Sequence, residues 1–202
     1  MQNILGHRVS IAIDRTAAAA ADDDHALVAA ALRDREAFAP LYVRYAVPIY
    51  RYCYRRLGSR EYAEDATSIV FEKALAALHT HRGGSFRGWL FMIAHNVSVT
   101  VGKERRHVPL VAVETVVDAA PSPEDLALAA DDHRSLHALM DALSVDQRRV
   151  VELRLSGLTG AEIAQVLGKS VASIKMLQLR AMARLRRSLK AETDEQTPRV
   201  DR

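Results

Sequence analysis

The stretch 153–189 has the residue types and spacing of a helix-turn-helix that binds DNA. Thr159 and Glu162 have the Thr-x-x-Glu spacing of a capping box, which predicts a helix start at this point. Gly168 predicts the end of that short helix, and Ser170 can cap the next one. A short helix, a tight turn and a second helix form the arrangement that places the second helix in a DNA major groove.

The second helix is basic on one side and apolar on another. Residues 169–190 contain seven Lys or Arg and no acid. An apolar stripe recurs at three- and four-residue spacing and should pack inward; it consists of Ile174, Leu177, Ala181 and Leu185. Arg180 can donate two hydrogen bonds to a guanine edge. The residues expected to contact DNA are Lys169, Ser170, Ser173, Lys175, Met176, Leu179, Arg180 and Arg184.

Charge and composition favour a polyanionic partner and exclude several other classes of protein. Residues 144–190 hold ten basic and three acidic side chains, a net of +7, whereas residues 107–133 hold six acids and no Lys or Arg. Cys53 is the single cysteine, so no internal disulfide or cysteine-cluster metal site is possible. The sequence has neither a membrane-length apolar run nor a signal-peptide pattern, which predicts a cytoplasmic protein without membrane insertion.

The pattern predicts an all-α fold of two small helical domains joined by a flexible acidic linker. All eleven aromatic residues lie between Phe38 and Phe91, so the two cores are built differently. The predicted boundaries are a disordered tail at 1–21, a first domain at 22–106, the linker at 107–132, the helix-turn-helix domain at 133–190 and a disordered tail at 191–202.

Within the first domain, local signals place helix ends and core residues. Asp34 and Ser59 are expected to cap helices, and Pro48 to bend or restart one. Trp89 falls on an apolar helical stripe and is expected in the core. His79 and His81 lack a third ligand nearby and read as loop residues rather than a metal site.

Three segments together resemble the sigma-70 family, specifically its small two-domain extracytoplasmic-function (ECF) group. They are LYVRYAVPIYRYCYRRLGSREYAEDATSIVFEKAL, FRGWLFMIAHN and the helix-turn-helix. The resemblance covers about residues 24–189. It implies a protein that binds core RNA polymerase, recognises two promoter elements and helps to open the DNA. In such factors the first domain is region two and the last is region four.

The resemblance implies a polymerase-docking face on the helix AEDATSIVFEKA. Its expected residues are Asp65, Ser68, Ile69 and Glu72, which share one helical face. Ser68 and Ile69 stand where Gln and Glu are usual in the family, so the interface is expected to be more apolar or weaker. The alternative is that Ile69 simply extends the core stripe.

The resemblance also implies that the segment after this helix handles the melted minus-ten element, with its Gly-Gly loop capturing a flipped base. His95 stands where the family often has Arg, and Thr100 where Asp is common. The expected minus-ten residues are His81, Arg82, Gly83, Gly84, Ser85, Asn96, Thr100, Lys103, Arg105 and Arg106. The DNA-contacting face of the last helix would then read the minus-thirty-five element.

Further partners and alternatives follow from the same comparison. The expected partners are promoter DNA and the largest and second-largest polymerase subunits, with the free protein a monomer. The group is often held inactive by an anti-sigma protein, although no residue here identifies one. A ligand-controlled helix-turn-helix regulator that binds duplex DNA as a dimer is the alternative function. An enzyme is not expected, because the sequence has no phosphate loop, metal-ligand cluster or nucleophile–base pattern, and no cofactor is implied.

Overall fold

A computed structural model describes residues 24–107 and 140–195, with side chains for 24–103 and 140–189. Every regular element in these ranges is helical, which confirms the all-α prediction. The α-helices are α1 (24–33), α2 (Ala39–Leu57), α3 (Arg60–Ala77), α4 (Phe86–His107), α5 (Val145–Leu155), α6 (Gly160–Leu167) and α7 (Val171–Glu195); short 3₁₀ turns cover Arg35–Phe38 and Leu78–Thr80. The tail 1–21 and most of the linker lie outside the described residues.

Helix starts follow the capping signals in the sequence. The Asp34 carboxylate accepts from the Glu36 amide, and the Ser59 hydroxyl accepts from the Tyr62 amide. Thr159 forms the full capping box of α6 with Glu162. The caps satisfy backbone donors that have no partner inside the helix, so they fix where each helix begins.

The sequence predicts that Pro48 bends or restarts a helix, and the structure contradicts a restart. Helix α2 runs unbroken from Ala39 to Leu57 with Pro48 inside it. A proline within a helix removes one hydrogen bond and costs about 3 kcal/mol. Because α2 packs against both α3 and α4, tertiary contacts offset that cost.

The chain divides into two compact units of contacts. Among the described residues, one unit contains 24–107 together with Glu152–Ile174, and the other contains 140–151 with 175–195. The segment Glu152–Ile174, which belongs to the expected second domain, therefore packs with the N-terminal helices. Its helix α6 lies against α4.

The first unit has an aromatic core. Its largest fully buried side chains include Tyr52, Phe91 and Leu41, and the Tyr52 and Phe91 rings meet edge-on at 5.5 Å. Cys53 is fully buried, and burial raises the pKa of its thiol. Trp89 is 9% exposed, as its place on the apolar stripe predicts.

The second unit has a small aliphatic core of Met140, Leu143 and Ala181, with Val151 and Leu185 packed against it. Ser144 and Gln147 cap the start of α5 reciprocally. Helix α7 continues to Glu195, past the point where a disordered tail is expected to begin. Residues 196–202 lie outside the described residues. No described helix is both long and apolar enough to span a membrane.

Candidate nucleic-acid and polymerase interfaces

The residues expected to bind polymerase share the outer face of α3. Asp65, Ser68 and Glu72 are exposed, and Ile69 is half-buried. The inner face of this helix is buried and consists of Ala63, Ala66, Val70, Phe71 and Ala74. The structure therefore brings the four predicted residues onto adjacent turns of one helix. Ile69 lies at the border between this exposed face and the buried inner face of α3.

The loop before α4 owes its shape to two glycines. Gly83 and Gly84 have φ values of +88° and +82°, in the left-handed region that other residues rarely adopt. A Cβ at either position would meet nothing within 4 Å. Backbone conformation, not lack of space, is therefore what requires glycine here. Together with the exposed Arg82, this loop presents open backbone to its surroundings.

His81 belongs to an aromatic cluster at the start of this loop. Its ring lies 5.8 Å from Phe86 and 5.5 Å from Trp89, both in edge-on geometry. Burial, with a smaller contribution from His25, lowers the pKa of His81. In the described parts of the chain, no three His, Cys, Asp or Glu side chains form a group that could hold a metal ion.

Ser85 and Arg87, at the start of α4, are both bonded to Glu162 of α6. The Ser85 hydroxyl donates to the Glu162 carboxylate, and Arg87 donates from Nε at 3.2 Å and from Nη2 at 3.1 Å. Burial by itself would raise the pKa of Glu162. Hydrogen bonds from Ser85, Arg87 and the Thr159 amide outweigh that effect and hold the pKa below its ordinary value. Glu162 is therefore an ionised acid inside the first unit.

The remaining minus-ten candidates separate along α4. Asn96, Thr100 and Lys103 are exposed and follow one another at four- and three-residue spacing. Arg105 and Arg106 lie on the helix, but their side chains are outside the described set. His95 instead points into the core, where its Nδ1 is 3.0 Å from the Tyr52 hydroxyl. His95 therefore belongs to the core and not to the outer face of α4.

A second buried acid, Glu152 of α5, faces α2. Its carboxylate accepts from Arg56 Nη1 at 2.8 Å, and that guanidinium lies 5.9 Å from the centre of the Tyr52 ring. The neighbouring Arg55 donates to the Ser156 hydroxyl at 2.6 Å. This side of α2 is thus tied to the segment Glu152–Ile174 by two arginines.

Within the first unit, three of the minus-thirty-five candidates lie in the turn before α7 and in the first turn of that helix. Ser170 is exposed and its hydroxyl accepts from the Ser173 amide at 3.2 Å, which is the predicted cap. Lys169 and Ser173 are half-buried. Gly168 adopts φ of +61° and ends α6, as predicted.

Within the second unit, α7 presents the other five candidates on its outer side. Ala181 is fully buried beneath them. The exposed residues are Lys175, Met176, Leu179, Arg180 and Arg184. Two of these, Met176 and Leu179, are large apolar side chains that are 48% and 57% exposed. A helix face that mixes arginine with exposed apolar groups suits base edges and thymine methyl groups in a major groove.

The sequence alone does not predict that Glu152 and Glu162 pair with arginines. The partners of Glu162 and Glu152 lie 75 and 96 positions away, beyond any local periodicity. Glu162 already has a local role, since its carboxylate accepts from the Thr159 amide in the capping box. One signal in the sequence points to these two residues, which is that acidic residues are rare in this basic segment. Residues 144–190 contain three acids, and two of them are Glu152 and Glu162.

Comparison with known proteins identifies the two regions that carry these faces. Residues 41–106 match the family description Sigma-70 region 2, and residues 133–185 match Sigma-70, region 4. The ECF RNA polymerase sigma factor ShbA of Streptomyces griseus is 33% identical over 67% of this chain and 78% of its own length. The chain belongs to the ECF group of sigma-70 family factors.

Other relatives of this ECF sigma factor agree. BldN of Streptomyces coelicolor, also an ECF RNA polymerase sigma factor, is 38% identical over 77% of the chain. That alignment spans 61% of BldN, so the chain covers less than two thirds of this relative. The solved structure of CnrH in complex with the cytosolic domain of CnrY matches with a TM-score of 0.65 and 26% identity, over 83% of this chain and 97% of CnrH.

Proposed function

We propose that this ECF sigma factor binds core RNA polymerase and directs it to promoters, where it recognises two elements and assists strand opening. The observation that carries the proposal is the presence of a region-two match and a region-four match, each with several of its expected contact residues exposed. The protein then acts as an initiation factor in the cytoplasm and has no catalytic site of its own.

In this proposal the α3 face that includes Asp65 and Glu72 docks on the largest polymerase subunit. The second-largest polymerase subunit also contacts the factor. The factor is a monomer when it is free. An anti-sigma protein is a further proposed partner. The relative CnrH supports a protein partner of this kind, because it has been solved with the cytosolic domain of CnrY.

Promoter recognition would use two separate contacts with DNA. The loop around Gly83 and Gly84, with Asn96, Thr100 and Lys103 of α4, would hold the melted minus-ten strand, where bases are unstacked and phosphates attract basic groups. Arg105 and Arg106 would extend that contact. The outer side of α7, centred on Arg180, would read the minus-thirty-five duplex through the major groove.

Charge reversal on α3 tests the proposed function directly. We expect Asp65→Arg to weaken binding to sigma-free core polymerase by about tenfold or more, because it places the wrong charge in a complementary interface. Asp65 is exposed, so the helical circular dichroism spectrum should not change. The measurement is fluorescence titration of labelled protein with core polymerase at moderate salt.

The matched control is Glu36→Arg, the same charge reversal at an exposed acid outside α3, which should bind core as the wild type does. Wild-type protein that fails to bind core, and instead dimerises on duplex DNA, would overturn the proposal. Equal weakening by both variants would mean that net charge, and not the α3 face, governs the interaction.

A further inference from the structure

Asp24, at the start of α1, is a buried acid that binds two neighbouring residues of α2. It is 3% exposed. Its Oδ1 accepts from Arg44 Nη1 at 2.8 Å, and its Oδ2 accepts from the Tyr45 hydroxyl. Burying a carboxylate is costly unless charged or polar partners satisfy it. Both oxygens have such a partner here, so the carboxylate fixes where the Tyr45 hydroxyl lies.

The anchored Tyr45 ring packs against the first residue of α4. Its centroid lies 5.7 Å from that of Phe86, and the Phe86 ring lies 5.6 Å from that of Trp89. All three side chains are buried. Burial and the hydrogen bond to Asp24 raise the pKa of Tyr45, so its hydroxyl keeps the proton that it donates. Because close-packed interiors transmit strain, the position of Phe86 depends on the ring that Asp24 holds.

The same rings position His81, the first residue of the loop 81–85 (the minus-ten loop). The His81 ring lies 5.8 Å from Phe86 and 5.5 Å from Trp89. Within the part of the chain that the structure describes, His81 Nε2 is buried and has no hydrogen-bond partner. Aromatic contacts therefore determine where this side chain lies. The two glycines of the loop add no side chains to stiffen it, so its path depends on how His81 is placed.

We propose that Asp24 and Tyr45 are positioning residues for promoter opening: through Phe86 and His81 they hold the minus-ten loop in the geometry that receives a melted DNA strand. The inference rests on the proposed function. Asp24 and Tyr45 are buried, so they act through the loop and not by touching DNA. A conservative change at Tyr45 should therefore weaken binding of the melted strand. Binding to core polymerase, which uses the exposed face of α3, should stay unchanged.

Tyr45→Phe tests the ring contacts in the free protein. The change keeps the ring and removes the hydroxyl that Asp24 binds. Trp89 is the single tryptophan, so tryptophan fluorescence reports on this cluster alone. We expect its emission to move to longer wavelength and its quenching by acrylamide to increase, because the surrounding rings are held less firmly. The matched control is Tyr42→Phe on the same helix, whose exposed ring packs on Phe71 of α3 and which should leave the fluorescence unchanged.

The second measurement is binding of a melted strand by the holoenzyme. The probe is a fluorescent single-stranded oligonucleotide with the minus-ten sequence of a promoter that the wild-type holoenzyme selects from a random-sequence pool. We expect Tyr45→Phe to weaken its binding about fivefold or more, within the usual range for coupled sites. Tyr42→Phe should bind it as the wild type does. Both variants should keep the core affinity and the helical circular dichroism of the wild type, which a general loss of structure would not allow.

A double-mutant cycle with His81→Ala shows whether Tyr45 acts through the loop. If it does, Tyr45→Phe should cost little further oligonucleotide affinity once His81 is replaced, because the effects of coupled residues are not additive. Additive losses would overturn the proposal. Equal oligonucleotide affinity in Tyr45→Phe and Tyr42→Phe would also overturn it.

Two further outcomes separate this inference from its foundation. Unchanged Trp89 fluorescence in Tyr45→Phe, or core and oligonucleotide affinities that fall together, would mean that Asp24 and Tyr45 do not position the loop. Wild-type protein that fails to bind core, or selects no promoter, would count against the proposed function. The Trp89 measurement needs no polymerase, so it would still decide whether the Tyr45 hydroxyl holds the aromatic cluster.

Discussion

At the scale of single residues, Arg180 is where we expect sequence reading by α7 to be concentrated. It is exposed beside Met176 and Leu179, and its guanidinium can donate two hydrogen bonds to one guanine. Replacing Arg180 by Ala should cost about 1–3 kcal/mol of promoter binding and relax selectivity at one position of the minus-thirty-five element. Competition between promoter variants in a single transcription reaction measures both effects.

Arg186 provides the matched control for Arg180, since it is exposed on the same helix but is a candidate phosphate contact. Arg186→Ala should weaken binding by a similar factor at all promoters. The slope of log affinity against log salt concentration should become shallower by about one. If Arg180→Ala behaved in the same way as Arg186→Ala, Arg180 would be a phosphate contact and base reading would lie elsewhere on α7.

At the scale of helices, the α4–α6 contact should make stability depend on pH through Glu162. The pKa of this carboxyl is lowered in the folded protein from an ordinary value of 4.5. Its contribution to stability is therefore complete above about pH 4.5 and is lost as the pH falls through the folded-state pKa. Glu162→Gln should lower the free energy of unfolding by about 1–3 kcal/mol at pH 7 and by progressively less in acid.

Urea unfolding at several pH values measures this difference between Glu162→Gln and the wild type. Glu64→Gln is the matched control, because the ion pair between Glu64 and Arg60 leaves both side chains 53% exposed and such pairs contribute about 0.3–0.5 kcal/mol. The difference in unfolding free energy between Glu162→Gln and the wild type could instead stay constant from pH 7 to pH 3. That result would show that the carboxylate charge does not hold α6 against α4.

At the scale of the whole molecule, the sequence predicts what is encoded locally. Helix starts at Asp34, Ser59 and Thr159 follow from caps, because a side chain two or three positions away satisfies the free amides. The end of α6 at Gly168 follows from its tolerance of positive φ. The apolar stripe that includes Trp89 places that residue in the core, since apolar periodicity indicates which side of a helix is buried.

Features that depend on distant partners are not predictable in this way. Pro48 stays inside a continuous helix because α2 is packed on two sides, which its neighbours in sequence do not indicate. His95 turns inward to Tyr52, 43 positions away. The placement of Glu152 and Glu162 against Arg56 and Arg87 likewise depends on tertiary structure.

The boundaries of the two compact units do not coincide with those of the two matched regions. We therefore expect local unfolding to follow the units and not the matched regions. Amide hydrogens of α6 should exchange at rates close to those of α4, because both belong to the first unit. Amides after Lys175 in α7 belong to the second unit. Because amides within one cooperative unit open together, they should exchange at a rate different from that of α4 and α6. Hydrogen exchange followed by mass spectrometry of short peptides resolves these segments.

The same measurement on a Glu152→Gln, Glu162→Gln double variant isolates the cause. If buried charge pairs hold Glu152–Ile174 to the N-terminal helices, the variant should speed exchange in α6 far more than in α4, while peptides after Lys175 keep their wild-type rates. Faster exchange throughout both units would instead mean that the chain unfolds as one cooperative body. Unchanged rates in α6 would mean that apolar packing against α4, and not the two carboxylates, keeps this segment in place.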